Sequence, residues 1–289
     1  MTPLLDIRDL TLGFKSYAGL SEVLHGINLT VQAGERVALV GESGSGKSVT
    51  ARIVLGLLQE TPSARISGTV LFDGQDLAKH SRKERARLRG TEMSMIFQDP
   101  TSSLNPTFTI ETQFTEVLRR RTPDIQSEAV IERASQLLDE VSIPDPARVL
   151  SSYPFQLSGG MNQRVMIAMA LANQPKLLLA DEPGTALDVT VQAQTLTLMR
   201  DLVANHNTAV LFISHNLGVV REFADRIYVI YRGRIVERGP TAALFSSPGH
   251  PYTQALLSAV PRITGTGLPE MAEASENFLS PMVNHGEVA

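Results

Sequence analysis

Short, continuously apolar runs recur along the chain, each followed by a polar or glycine-containing turn and then by a segment with helical character. The apolar runs are RVALV, LLLA and AVLFI, at residues 36–40, 177–180 and 209–213. Runs of this length suit central strands of a parallel sheet that is covered on both faces. The helices predicted after them cover residues 47–58, 189–206 and 216–224. The repeated order of strand, turn and helix predicts an α/β core.

Weaker patterns divide the rest of the chain. An alternating segment at residues 27–31 predicts a half-buried strand. Helical patterns dominate from residue 90 to residue 160, and we expect a helical insertion on the core at about residues 98–165. Beyond residue 239 the pattern loosens, with one short amphipathic helix predicted at residues 252–260. From about residue 262 onward, the composition predicts a weakly ordered tail.

Composition sets limits without indicating a function. The chain has 289 residues, of which 43% are hydrophobic and 19% charged, so it can bury a full core. Its net charge of -4 gives no indication of a nucleic-acid partner. It contains no cysteine, which excludes disulfides and thiolate-bound metal clusters. The first residues do not have the pattern of a signal peptide, and no run of 18 apolar residues predicts a membrane span.

A phosphate-binding loop is predicted by GESGSGKS, which matches the pattern G-x-x-x-x-G-K-S after a buried strand and before a helix. Glycines let backbone N–H groups turn toward phosphate oxygens, and the helix N-terminus adds partial positive charge. We expect Lys47 to reach the β- and γ-phosphates and Ser48 to bind Mg²⁺. The predicted phosphate-binding residues are Gly41, Glu42, Ser43, Gly44, Ser45, Gly46, Lys47, Ser48 and Val49.

Two adjacent carboxylates end another predicted strand. Asp181 and Glu182 follow the apolar run at residues 177–180, and ligands bind at the carboxyl edge of a parallel sheet. We therefore expect the carboxylates to face the same crevice as the phosphate loop. Asp181 is predicted to hold Mg²⁺ through water. Glu182 is predicted to accept a hydrogen bond from the water that attacks the γ-phosphorus.

Two more polar residues follow strand-like runs. His215 comes after the run at residues 209–213, where it would face the same crevice and hydrogen-bond the γ-phosphate. Gln98 closes a run at residues 93–97 and offers a carbonyl oxygen to Mg²⁺ and to the attacking water. As a lone residue Gln98 would predict nothing, so its role depends on the other motifs.

A second anion-binding pattern lies in LSGGMNQR, at residues 157–164. Ser158 is a favourable helix N-cap, and Gly159 and Gly160 let a phosphate come close to the start of the helix. The pattern contains no lysine and no metal ligand. It therefore predicts an incomplete phosphate site, which can complete a site begun elsewhere.

Taken in order, the motifs resemble those of the nucleotide-binding subunit of an ABC transporter. They are GESGSGKS, IFQDP, LSGGMNQR, LLLADEP, ALD at residues 186–188 and SH at residues 214–215. The resemblance implies an α/β P-loop NTPase core with a mainly parallel sheet, an N-terminal antiparallel β part and a helical insertion. It implies an ATPase domain at residues 4–245 and a C-terminal extension at residues 246–289.

The resemblance also implies how the second anion-binding pattern functions. In this family it closes over ATP that the phosphate loop of a partner subunit holds, so two cassettes enclose two nucleotides. Ser158, Gly159, Gly160 and Gln163 would then contribute to a nucleotide site, and Asp188 would lie at the shared interface. An aromatic ring near the N-terminus would stack on adenine. Phe14 is the first choice and Tyr17 the second.

Two longer stretches, at residues 96–106 and 246–261, resemble the oligopeptide/dipeptide/nickel import group. This resemblance implies ATP and Mg²⁺ as cofactors, a related second ATPase, two permease subunits and, indirectly, an extracytoplasmic solute-binding protein. It places the chain on the cytoplasmic face of the cell membrane. Peptides are the first expectation for the solute, while nickel, other metal chelates and glycosides stay open. Two positions depart from the group: Asn162 stands where arginine is common, and Gly184 where threonine is common.

Two other functions stay open from the sequence. A soluble ABC ATPase of DNA repair or translation would share the motifs, but such proteins usually carry coiled coils, zinc-binding inserts or two cassettes, none of which is visible. A P-loop kinase would leave the LSGG motif and His215 unexplained. The favoured expectation is hydrolysis of ATP to ADP and phosphate, coupled to transport.

Overall fold

The computed structural model describes residues 2–17, 19–59, 61–184, 189–259 and 276–286. The chain divides into two compact units. The first unit contains residues 1–80 and 211–289, and the second contains residues 81–210. Within the described ranges, no helix is both long enough and apolar enough to cross a membrane.

The first part of the first unit is mainly β-structure. Its elements are β1 (Leu5–Ser16), β2 (Gly19–Val31), β3 (Arg36–Val40), α1 (Lys47–Val54), β4 (Ala64–Phe72) and β5 (Gln75–Asp76). Strands β2, β1, β4 and β5 form an antiparallel sheet in that order. The buried leucine and isoleucine positions of β1 change their spacing between Ile7 and Leu10, where the register with β2 shifts. This irregularity keeps both halves of the strand turned to the same buried face.

The second unit is mainly helical. Its elements are α2 (Arg82–Leu88), β6 (Met93–Ile96), α3 (Pro100–Ser103), α4 (Ile110–Arg119), α5 (Ser127–Glu140), α6 (Pro146–Ser151), α7 (Gly159–Leu171), β7 (Leu177–Asp181) and α8 (Val189–Asn205). Strands β6 and β7 are parallel, from Met93 opposite Leu177 to Ile96 opposite Ala180. The side chains of Thr109, Asp145 and Ser158 accept hydrogen bonds from first-turn N–H groups of α4, α6 and α7, which explains where these helices begin.

The chain returns to the first unit through β8 (Ala209–Ser214), whose first residues belong to the second unit. The remaining elements are α9 (Leu217–Phe223), β9 (Arg226–Tyr231), β10 (Arg234–Pro240), α10 (Thr241–Ser246), α11 (Pro251–Ser258) and β11 (Val283–Asn284). In this unit the strand order is β11, β10, β9, β3, β8. Strands β3 and β9 are parallel, and β10 is antiparallel to β9. Almost all side chains of β3, β8 and β9 are buried, as continuous apolar runs predict.

Most predicted elements are found close to their expected bounds, with two differences. The helix predicted to reach residue 58 ends at Val54, because Gly56 adopts φ +70 and its N–H bonds the carbonyl of Ile53. The tail predicted to be weakly ordered is ordered at residues 276–286. There Phe278 is buried and β11 pairs with β10, so that prediction is wrong for this segment. Residues 260–275 and 287–289 lie outside the described ranges.

Candidate functional site

The loop between β3 and α1 has the backbone that the phosphate-binding motif predicts. Gly46 precedes α1 with φ +108 and has no side chain to cap the helix. The first turn also lacks an acidic residue, so an anion can take the capping position. Lys47 is buried, and its Nζ donates to the carbonyl oxygens of Gly41 and Glu42 at 2.8 and 2.7 Å. The ammonium group is therefore held against the loop at the start of the helix.

Two further features of this loop concern its packing against β9 and the hydroxyl group of Ser45. The loop passes so close to β9 that a Cβ on Gly41 would lie 2.1 Å from the carbonyl oxygen of Ile230. The hydroxyl of Ser45 is buried and makes no hydrogen bond within the described part of the chain. A buried hydroxyl of this kind calls for a partner. A phosphate oxygen in the loop would supply one.

The carboxylate pair lies at the end of β7 in the second unit. Asp181 is buried, and the half-buried Glu182 has φ +48. For a residue other than glycine, a sparsely populated backbone conformation costs about 1–3 kcal/mol, and such conformations cluster at functional sites. Gln98 Nε2 donates to Glu182 Oε2 at 3.0 Å. The structure thus brings together Gln98 and Glu182, which are 84 residues apart in sequence.

The departure at Gly184 has a local explanation. Gly184 adopts φ +96, a conformation that glycine takes without steric cost and that a β-branched residue such as threonine resists. The turn after Glu182 therefore has a shape in this chain that favours glycine.

The start of α7 presents the second anion-binding pattern. Ser158 Oγ accepts a hydrogen bond from the N–H of Met161 at 3.3 Å, as a helix N-cap does. Ser158 and Gly159 are exposed, whereas the helix beyond them is almost entirely buried. Asn162 is buried, and its Nδ2 donates to the carbonyl of Pro154 at 3.0 Å. This bond ties the turn before the helix to its first turn, and the side chain of Asn162 faces inward.

Gln163, which is also predicted for the nucleotide site, differs in exposure from the residues that precede it. Gln163 is fully buried, and neither atom of its amide has a hydrogen-bond partner within the described residues. Its side chain is enclosed by the protein, while the exposed residues of this pattern precede it. Its contact with a nucleotide stays a prediction.

The remaining predicted residues fall at different places. His215 is exposed at the end of β8, and β8 neighbours β3, the strand that leads into the phosphate loop. Phe14 lies in β1, half-buried, opposite Ser21 and Ala64. Tyr17 follows β1 and is fully exposed. Asp188 lies outside the described residues.

Metal binding by protein side chains alone is not indicated. In the part of the chain that the structure describes, no group of three or more His, Asp or Glu side chains is arranged to hold a metal ion. Mg²⁺ in nucleotide enzymes is usually held by one or two side chains together with water and substrate phosphates. Gln98 and Asp181, both in the second unit, carry oxygen donors of the kind that such binding uses.

Comparison with known families agrees with the motifs. Residues 24–185 match the family described as ABC transporter. Residues 236–280 match the family described as oligopeptide/dipeptide transporter, C-terminal region. The second match covers most of β10, all of α10 and α11, and residues 276–280 before β11.

The chain is also similar to individual transport proteins. It is 48% identical over 271 residues to the oligopeptide transport ATP-binding protein OppD of Bacillus subtilis, covering 94% of this chain and 75% of OppD. It is 46% identical over 283 residues to a probable peptide ABC transporter ATP-binding protein, y4tR, of Sinorhizobium fredii, covering 97% and 84%. It is 47% identical to the peptidoglycan transport ATP-binding protein YejF of Agrobacterium fabrum. That match covers 99% of this chain and 50% of YejF.

Solved structures show the same fold. The ATP-binding cassette MJ0796, in a dimeric post-hydrolysis state with ADP and Pi, superposes with a TM-score of 0.72 at 27% identity, covering 82% of this chain and 98% of that one. CbiO1 of Clostridium perfringens has a TM-score of 0.71 at 24% identity, covering 86% and 92%. The transporter matches leave the DNA-repair, translation and kinase alternatives without support. The chain belongs to the ABC transporter family, as one of its ATP-binding and ATP-hydrolysing subunits.

Proposed function

We propose that this subunit energises an importer that takes up peptides or a related small solute. The observation that carries the proposal is the oligopeptide/dipeptide transporter region at residues 236–280, together with the peptide-transport relatives. We place the chain on the cytoplasmic face of the membrane as a peripheral subunit. Its companions are a second ATPase subunit, two permease subunits and, indirectly, an extracytoplasmic solute-binding protein.

The roles of the residues follow from their chemistry. The phosphate loop binds the triphosphate through its N–H groups and through Lys47, whose ammonium group exchanges loop carbonyls for phosphate oxygens. Glu182 accepts a hydrogen bond from the attacking water, and Gln98 orients Glu182 through the 3.0 Å bond. His215 donates to the γ-phosphate. As the water oxygen bonds to the γ-phosphorus, the bond from phosphorus to the β–γ bridging oxygen breaks, and ADP and phosphate leave.

Mg²⁺ completes this proposal. Ser48, Gln98 and Asp181 would hold it, and when bound it neutralises charge on the phosphates. Asp181 is buried, so its carboxylate gains from a nearby cation more than an exposed one would.

A partner subunit completes each catalytic pocket. The exposed start of α7 has the first backbone N–H groups of the helix at Gly159 and Gly160, and the motif contains no lysine. We propose that Ser158 and the two glycines contact the nucleotide of the partner, and that Asp188 lies at the same interface. The dimeric state of the similar cassette MJ0796 supports this arrangement.

The permease contacts the second unit, in our proposal, at an apolar groove beside Gln98. The groove is lined by residues that include Phe97, Phe108, Met166 and Met169. Phe97 and Phe108 are 39% and 49% exposed, and exposed aromatic rings around an apolar depression mark protein interaction sites. Because Phe97 precedes Gln98 in sequence, a permease segment in this groove would sense the state of the catalytic residues.

Purification of the chain from native membranes tests the transport function. We expect permease subunits and a second ATPase to accompany it, and the ATPase rate of the reconstituted assembly to rise when its binding protein carries a peptide. A nickel chelate or glycoside tested in the same way is the control for the solute class. Absence of permease subunits, or co-purification with ribosomes or DNA, would contradict the proposal.

Phe14 is the first expectation from the sequence for stacking on adenine, and we propose the fully exposed Tyr17 as the residue to test against it. We expect Tyr17→Ala to weaken ATP binding by about tenfold, because stacking of a base on an aromatic ring contributes about 1–3 kcal/mol. Phe14→Ala is the matched control and is expected to lower thermal stability with less effect on affinity, since its ring is half-buried in the sheet. Titration with a fluorescent ATP analogue measures both. A larger affinity loss for Phe14→Ala would restore Phe14 as the stacking residue.

A further inference from the structure

A buried tyrosine of the C-terminal extension contacts the phosphate loop. Tyr252 lies in α11 and is fully buried. The backbone N–H of Glu42, the second residue of the loop, donates to its hydroxyl oxygen at 3.0 Å. Both residues belong to the first unit. The contact joins two segments that are 210 residues apart in sequence.

Glu42 is held on both sides by this contact and by the loop lysine. Its N–H donates to Tyr252, and its carbonyl oxygen accepts from Lys47 Nζ at 2.7 Å. Farther along the loop, the carbonyl of Ser45 accepts from the N–H of Gly233 at 3.0 Å. The face of the loop turned toward the protein is thus fixed by several hydrogen bonds, and one of them is made by a side chain from a distant element, Tyr252 in α11.

The ring of Tyr252 is itself held firmly. It packs against Tyr231, with ring centroids 4.4 Å apart, and edge-on against the buried Phe278, at 5.4 Å. The backbone N–H of Tyr252 donates to Nδ1 of His250 at 3.2 Å, and His250 is the N-cap of α11. Tyr252 therefore has little freedom to follow a moving loop, and the loop conforms to the tyrosine.

A buried carboxylate secures the segments on either side of this ring. Glu237 in β10 is fully buried and accepts hydrogen bonds from the N–H groups of Gly249 and His250, at 2.7 and 3.1 Å, and from His285 Nε2 at 2.5 Å. Burial acts to raise the pKa of Glu237, but its hydrogen-bond donors outweigh burial and the pKa lies below its ordinary value. The carboxylate thus stays charged and keeps α11 and the segment after β11 on the sheet.

We propose that Tyr252 is a positioning residue for the phosphate loop, through which the C-terminal extension sets the affinity for nucleotide. The hydroxyl holds the Glu42 N–H so that the loop is already in the conformation that receives phosphate. Without it the competent conformation is a smaller fraction of the population, and apparent affinity falls by that fraction. This inference rests on the proposed nucleotide site.

The hydroxyl of Tyr252 keeps its proton, so the contact with Glu42 does not depend on pH near neutrality. Burial, helped by the charge of the neighbouring Glu42, raises the pKa of Tyr252 well above its ordinary value. The phenol therefore stays neutral at neutral pH and well above it, and the contact does not act as a pH switch in that range.

Removing only the hydroxyl tests the proposal. We expect Tyr252→Phe, in the full chain, to raise the Kd for ADP and for a fluorescent ATP analogue by about two- to tenfold, the effect of one lost hydrogen bond. In the assembled ATPase, KM should rise while kcat changes less, because the chemical groups are untouched. The ring packing against Tyr231 and Phe278 is retained.

Tyr228→Phe is the matched control. Tyr228 is also fully buried, and its hydroxyl oxygen accepts from the backbone N–H of Thr30 at 3.1 Å and from Arg226 Nη1 at 3.0 Å, not from a residue of the phosphate loop. We expect this variant to lower the melting temperature without changing the Kd. If Tyr252→Phe lowers the melting temperature in the same way and leaves the Kd unchanged, its role is structural and the proposal is overturned.

A second variant keeps the test decisive if Tyr252→Phe does not fold. Phe278→Leu removes the edge-on ring contact without touching the loop, and we expect a smaller rise in Kd in the same direction; an unchanged Kd would count against the proposal. Wild-type chain that binds no ATP analogue would instead contradict the proposed nucleotide site itself, so the two failures are distinguishable.

Discussion

Glu182→Gln is expected to stop ATP turnover while ATP stays bound. Glutamine has the size of glutamate and its amide oxygen can still accept the hydrogen bond from Gln98 Nε2. It lacks the negative charge that favours loss of a proton by the attacking water. Removing a group of this kind lowers the rate by about 10²–10⁴-fold. The phosphate loop is unaltered, so affinity for ATP should be close to that of the wild type.

Phosphate release from the assembled ATPase and retention of labelled ATP after gel filtration measure the two effects separately. Glu222→Gln is a suitable control, because Glu222 is an exposed carboxylate of α9 outside the proposed site. We expect this control to hydrolyse ATP normally. Near-normal phosphate release by Glu182→Gln would show that another group aligns the water.

The elements that position the site were predictable because their sequence signals are local. The segments β3, β7 and β8 are short runs of almost continuously apolar residues, which is typical of buried strands. Polar or glycine residues of the predicted site follow each of them. Glycine at position 46 is favoured by the local backbone conformation, because its φ of +108 lies in a region that other residues rarely adopt. Ser158 similarly caps α7 through a bond to a residue three positions later.

The features that the sequence did not predict depend on contacts between distant segments. The positive φ of Glu182 and its bond to Gln98 involve a turn and a strand end that no periodicity marks. Gln163 follows an exposed motif, and nothing in the sequence predicts its burial. The order of residues 276–286 depends on Phe278 filling a space beside Tyr252. That contact is invisible in a segment of low apolar content.

The contact between Tyr252 and Glu42 was missed for the same reason. The resemblance of residues 246–261 to an importer group indicated a characteristic extension but not what it touches. A tyrosine one residue after a proline at the start of a predicted helix was the available signal, and packing alone would have explained it equally well.

Ser158→Arg is expected to abolish hydrolysis without loss of the chain's own ATP binding. Ser158 is exposed at the start of α7, and arginine there removes the N-cap and fills the space that a partner's phosphates would occupy. We expect hydrolysis in the assembly to fall by at least about a hundredfold, since pockets that need this surface lose an electrostatic contact made in the transition state.

Lys47→Ala gives the opposite pattern, with loss of nucleotide binding by the altered chain itself. Equal loss of ATP binding in both variants would contradict the division of the pocket.

The central claim is that two polypeptides complete each catalytic pocket. The measurement that tests it most directly is the ATPase rate per subunit of the wild-type chain against its association state, determined by analytical ultracentrifugation of the same samples. We predict that the dilute monomer binds ATP but hydrolyses it negligibly, and that the rate rises only as cassettes associate with each other or with the second ATPase. A monomer that hydrolyses ATP as fast per subunit as the assembly would contradict the account.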